Sequence, residues 1–430
     1  VMNNHASPAP GKVQADDAPN PFRPARHQYA FVAQVLHGGT ICNLHARSSP
    51  VGKARRLIHA LQEYKRPGNT RHLHCNANHG IVRDERKAFS RLYCGRASCK
   101  ADLRIRPADR QLTSGDNQVS STTPPAYYDP ARVGTLFYPD VMNIADCARK
   151  GGLPPSRDDD KSFLLLLVDM QVDFCHEQGT LYTPGASGDM RRTIEFLFRH
   201  APQITRIMCS LDTHLPHQIF HPAWWVDAEG NPPAPLTVIT HEDVEKGKWR
   251  PVRETDWSKD YVRKLEQNAQ KQLMIWPYHV PRGGVGHLVD PEVWSAVFWH
   301  SIARNTQPIW WGKGMNPRTE HYSAVQPEVI PNEEQEQKAE EFLRRVADFD
   351  YVAVAGEAAS HCVLETMEDI VEAFRDDPDH LKRIALLTDC TSPVQHPDID
   401  FAKMAEQKFA EFGRAGITLM KSTDPLPWSE

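Results

Sequence analysis

No apolar run in these 430 residues is long enough to span a bilayer. The longest, Phe163 to Val168, suits a single buried strand. Cysteine is sparse: nine in all, an odd number at scattered spacings, which argues against a disulfide framework. The start lacks the basic-then-apolar pattern of a secretory signal. These absences lead us to expect a reducing, cytoplasmic setting and no membrane partner. Apolar periodicity is also missing from residues 1–124, which are rich in Pro, Arg, His, Ser and Asn. Such a stretch buries too little to offset its ordering entropy, so a basic, poorly ordered N-terminal extension is expected there.

Charge divides the chain the same way. Residues 1–120 hold 19 Lys and Arg against 8 Asp and Glu, while the remainder holds 31 against 47. The extension also contains His72, His74, Cys75, His79, Cys94 and Cys99, which are zinc-ligand residue types. Their spacing matches no standard finger. Neither a metal site nor a nucleic-acid-binding arm is favoured there over a plain extension.

Residues 125–430 have a different character. Short apolar runs at 163–170, 204–212, 272–277, 307–314, 350–357, 382–389 and 416–422 read as strands. Amphipathic stretches at 189–200, 332–348, 361–374 and 399–412 read as helices. This alternation predicts an α/β domain: a parallel sheet flanked by helices on both faces. In such sheets ligands bind at the carboxyl ends of the strands, and reactive groups gather at those points. Asp169 and Asp173 follow one strand, Asp212 and His214 another, Lys313 a third and Cys362 a fourth.

Cys362 follows small residues that turn a strand into a helix. A helix N-terminus lowers a thiol's pKa and offers unpaired N–H groups to an oxyanion. Lys313 could stabilise the thiolate, and Asp169, directly behind an apolar run, should have raised proton affinity suited to relaying a proton. Asp-x-His at 212–214, with His221 and His279, forms a plausible set for zinc, manganese or iron, and His217 competes with His221 for a place in it.

Taken in order, VDMQVDF, SLDTH, QIFHP, WPYH, WWGKG and GEAASHCV resemble the isochorismatase-like cysteine hydrolase superfamily, with the nicotinamidase branch the nearest match. The resemblance implies a Rossmann-like three-layer sandwich and a catalytic triad of Asp169, Lys313 and Cys362. It implies a divalent metal on Asp212, His214, His221 and His279, and aromatic walls from Phe174 and Trp276. It further implies a cis Glu357–Ala358 peptide and oxyanion donors at the backbone N–H groups of Ala358 and Cys362. The implied reaction, of the kind used in NAD salvage, converts nicotinamide to nicotinate and ammonia through a cysteine thioester. The alternative is another small-amide or carbamoyl hydrolase with the same triad; a catalytically idle scaffold is the least favoured reading. A small-molecule amide is the expected partner, and a homo-oligomer is compatible with the sequence.

Three features depart from the family pattern. Glu357 stands where an aliphatic residue is usual. NPRTE before HYSAV (321–325) is unusual. The 223–272 insertion is long and Trp-rich, and could form a lid, an oligomer contact or a specificity wall.

Overall fold

The run FLLLLV at Phe163–Val168 forms strand β1, and all six of its residues are buried. Leu164, Leu166 and Val168 join one apolar core, whereas Phe163, Leu165 and Leu167 join the other. That two-residue alternation is the signature of a strand covered on both faces. In this computed structural model β1 lies inside a six-stranded sheet with β2 (Arg206–Asp212), β3 (Ile309–Lys313), β4 (Tyr351–Gly356), β5 (Ile384–Leu387) and β6 (Thr418–Met420). All the pairings are parallel, and the order is β3-β2-β1-β4-β5-β6.

The structure describes residues 124–268, 271–396 and 399–428, together with the backbones of strands at 30–37, 40–47, 74–76 and 81–83. The chain divides into two units, Val1–Gly115 and Asp116–Glu430. In the first, Ala30–His37 pairs antiparallel with Thr40–Arg47, and His74–Asn76 with Ile81–Arg83. The rest of the predicted extension, and the side chains of the His72–Cys99 group, lie outside the described residues. Among the described residues no helix is long and apolar enough to cross a membrane.

In the second unit, helices α1 (Val141–Lys150), α2 (Ala186–His200) and α4 (Pro291–Ala303) cover one face of the sheet. Their contributions include Ile144, Met190, Ile194 and Val297. Helices α5 (Glu333–Ala347), α6 (Cys362–Ala373) and α7 (Phe401–Ala415) cover the other through Phe342, Val363, Met367 and Phe412. The three-layer expectation therefore holds. The chain builds β1 to β3 in one direction, then returns to lay β4 on the opposite side of β1. That reversal creates a crevice at the carboxyl ends of β1 and β4.

One sequence expectation needs correction. The run at 272–277 is not a sheet strand. Only Leu273–Met274 is extended, and it pairs antiparallel with Val238–Ile239 outside the main sheet. Its apolar residues fill a third core with Trp224, Trp225, Tyr261 and Leu265; a short apolar run has the same appearance in either setting. The 223–272 insertion has regular structure of its own. It contains helix α3 (Thr255–Asn268), and its indoles are anchored by hydrogen bonds from Trp224 Nε1 to Ser258 Oγ at 2.9 Å and from Trp225 Nε1 to Ile219 O at 2.6 Å.

Gly356 closes β4 opposite Val168 with φ of +134°. A Cβ at that position would lie 2.1 Å from the Val168 carbonyl oxygen, which is backbone and cannot yield. Gly152 has φ of +62° and nothing within 4 Å of its would-be Cβ. Gly356→Ala should therefore cost at least about 3 kcal/mol or prevent folding, against about 1 kcal/mol for Gly152→Ala. Urea-unfolding midpoints of the two variants test this; equal losses would contradict it.

Candidate functional site

The crevice contains a lysine with no exposed surface. Lys313 ends β3, and its Nζ lies 3.0 Å from Asp169 Oδ2 and 3.3 Å from Asp212 Oδ2. It also donates to the His321 carbonyl at 2.7 Å and to Cys362 Sγ at 3.6 Å. The three sequence-predicted groups, from β1, β3 and the start of α6, thus meet at one point. Burial disfavours the ammonium, but Asp169, Asp212 and Cys362 together hold its pKa above the ordinary lysine value.

Asp169 directly follows β1 with φ of +46°, an uncommon conformation for a non-glycine residue. Its Oδ1 accepts from Ser210 Oγ at 2.5 Å. Burial raises its pKa, and Lys313 opposes the rise. The direction matches the expected proton acceptor. Cys362 differs from expectation: burial pushes its thiol well up, opposed by Lys313 and reinforced by Asp169. Desolvation acts on this thiol in the direction opposite to the helix N-terminus. The sulfur lies beside the Asp169 carboxyl and the Lys313 ammonium.

The turn before α6 is laced tightly. The Glu357 amide donates to Val168 O, Ala359 to Ser392 O, and His361 and Val363 to Ala358 O. The amides of Ala358 and Cys362 take no part in this bonding, and both residues line the cavity. The Glu357–Ala358 peptide is cis. The unusual Glu357 is buried, with Oε2 accepting from the Ser392 amide at 3.2 Å. Burial, then the neighbouring Asp189, raise its pKa well above the carboxylate range. Both causes weaken the negative charge that a carboxylate would place beside the turn.

Asp212, His214 and His279 bring ligand atoms within 4.8 Å of one another. Asp212 Oδ2 lies 3.0 Å from His214 Nε2. The other ring nitrogens are occupied by protein groups. His214 Nδ1 is 3.4 Å from the Gly314 carbonyl, and His279 Nδ1 is 2.7 Å from that of Pro277. Metal-bound histidines are held this way, with one nitrogen on a carbonyl and the other turned to the ion. His221 stands beside the group, its ring 5.8 Å from that of His214 and 5.9 Å from that of His279. Both of its nitrogens are buried without hydrogen bonds. Burial, then His214, lower its pKa to about 4, so the ring is neutral. A Cβ on Gly314 would come within 2.3 Å of Asp212 Oδ1. These features fit a divalent cation. His217 is exposed and takes no part. Asp173 is structural: its Oδ2 accepts from the Val280 amide at 2.6 Å and so holds the loop that carries His279.

Phe174 and Trp276 stand in the wall of a cavity that Asp212, His214, His279 and Cys362 also line. Sequence reasoning missed Glu320, His321 and His361, which also line it. His361 could have been suspected as Cys362's neighbour, but Glu320 carried no local signal. Ser210 was legible only by alternation, two residues before Asp212 on the same face of β2.

No protein-family model matches the chain, and no curated protein matches its sequence. Solved structures similar to it include the yeast nicotinamidase Pnc1p bound to the inhibitor nicotinaldehyde. That pair shares 17% identity over 60% of this chain and 99% of that one, with a TM-score of 0.42. A nicotinamidase and pyrazinamidase of Acinetobacter baumanii shares 17% over 63% and 100%, with a TM-score of 0.39. A pyrazinamidase of Pyrococcus horikoshii in complex with zinc shares 18% over 60% and 98%, with a TM-score of 0.35.

Glu320 supplies a test of the site's electrostatics. Burial raises its carboxyl from 4.5 to about 8, against the hydrogen bonds from Tyr322 and Tyr261. Between those two values the folded state binds a proton that the unfolded chain has released, so stability falls as pH rises through this window. Glu320→Gln should flatten the decline in melting temperature between pH 5 and pH 8. Equal slopes in the two proteins would mean that Glu320 is ionised throughout.

Proposed function

We propose that this chain is a cysteine-nucleophile hydrolase of small carboxamides. More specifically, we place it in the nicotinamidase branch of the isochorismatase-like superfamily, acting on nicotinamide. The observation that carries this reading is the meeting of the Cys362 sulfur and the Asp169 carboxylate at one buried ammonium.

In this reading Asp169 accepts the Cys362 proton as sulfur attacks the carboxamide carbon. The carbonyl electron pair moves to oxygen, where the amides of Ala358 and Cys362 receive it. Lys313 stays protonated and steadies both anions. The carbon–nitrogen bond then breaks as Asp169 passes its proton to the departing ammonia. Water adds to the thioester, releases nicotinate and restores the thiol. Phe174 and Trp276 clasp the ring. A divalent cation held by Asp212, His214 and His279, with His221 alongside, would supply a Lewis acid for a ring nitrogen.

A second reading, a hydrolase for a different small amide, draws on the insertion packed behind the pocket wall.

The decisive assay is ammonia release from nicotinamide and from a panel of other small amides, with metal analysis of the same sample. Cys362→Ala should lower turnover by at least about a thousandfold. Strong turnover of another amide with none of nicotinamide would select the second reading, and full activity in Cys362→Ala would end both. Metal content should fall from about one equivalent to near zero in His279→Ala, because a three-ligand site rarely survives the loss of one ligand.

A further inference from the structure

The insertion reaches the cavity wall through a continuous chain of hydrogen bonds. The Trp276 indole Nε1–H donates to the Tyr322 hydroxyl at 2.8 Å. That hydroxyl donates to Glu320 Oε1 at 2.7 Å. Glu320 Oε2 accepts from the Tyr261 hydroxyl at 3.0 Å, and the Glu320 backbone amide donates back to the same hydroxyl at 2.9 Å. Trp276 and Tyr322 both line the cavity, whereas Tyr261 lies on α3 of the insertion, fully buried in the third core.

A second tie runs alongside. Lys271, at the insertion's end, pairs with Glu365 on the nucleophile-bearing helix α6 at 2.7 Å and with Glu328 at 2.8 Å. Its ammonium stands 5.6 Å over the Tyr322 ring. The Trp276 and Tyr322 rings meet that of His361, next to Cys362, at 5.5 Å and 5.6 Å.

An aromatic wall discriminates by where its rings stand. An indole or phenol packed only by dispersion can tilt at small cost, whereas one tied through its polar atom to a buried carboxyl cannot. Glu320 is the link that uses both carboxyl oxygens, one on the wall and one on the insertion. We propose that Glu320 is a positioning residue through which the 223–272 insertion, by way of Tyr261, fixes the Trp276–Tyr322 wall and so selects which ring-bearing amides reach Cys362. The substrate clause rests on the amide-hydrolase reading; the wall itself does not.

The test therefore uses one readout without substrate and one with it. Alkylation of Cys362, followed by peptide mass, is measured with iodoacetamide and with the wider N-phenylmaleimide. In Tyr261→Phe and Glu320→Leu the maleimide rate should rise relative to the iodoacetamide rate by about threefold to tenfold, the size of one lost hydrogen bond. Glu320→Gln, which keeps polar contact to both hydroxyls, should return the ratio to within about twofold of the parent. With nicotinamide, Tyr261→Phe should raise KM by a similar factor and leave kcat within about twofold. If both rates rise together, or the ratio stays at the parental value in Tyr261→Phe and Glu320→Leu, the strut is overturned. Should Glu320→Leu fail to fold, Tyr261→Phe, which removes one oxygen atom, decides alone. If the parent does not turn over nicotinamide, that substrate assignment falls while the alkylation ratio still judges the wall.

Discussion

Everything at the crevice depends on keeping one ammonium out of water. Lys313 has two carboxylates, a carbonyl and a sulfur around it and no exposed surface. An isolated charge in that setting would be prohibitively costly, so its partners are conditions of its existence there. The same arrangement fixes the partners. Asp169 is held by Lys313 and Ser210, and Asp212 by Lys313 and His214. The Cys362 sulfur is thus positioned by electrostatics that the sheet topology makes unavoidable, because β1, β2 and β3 end side by side and α6 starts across the switch point.

Around this charged centre, the other buried acids are managed by neutralisation. Glu357 and Glu320 are both driven toward the protonated form by burial, one behind the turn before α6 and one behind the aromatic wall. Each then serves as a hydrogen-bonding joint. Glu357 ties the turn to the loop after β5 through Ser392, and Glu320 ties the wall to the insertion.

Much of this was legible in one dimension. The continuous apolar run at β1 announced a strand covered on both faces, and polar residues directly behind apolar runs marked Asp169, Asp212 and Lys313 as strand-end groups. Helix α4 was not legible. It is buried along most of its length and has no amphipathic stripe to read. The upward push on the thiol was not legible for a similar reason: a helix N-terminus is local and visible in sequence, whereas the opposing desolvation comes from every element packed around Cys362.

The sequence alone determined the alternation of strands and helices, and with it the end of the sheet at which chemistry can occur, since burial period and chain direction are properties of contiguous residues. Only the tertiary structure decided that Glu320 touches both Tyr261 and Tyr322, that Glu357 is buried against the Ser392 amide, and that Asp212, His214 and His279 converge while His217 stays exposed. Those outcomes depend on distances between residues far apart in the chain and on the dielectric they create together. No window of sequence contains either.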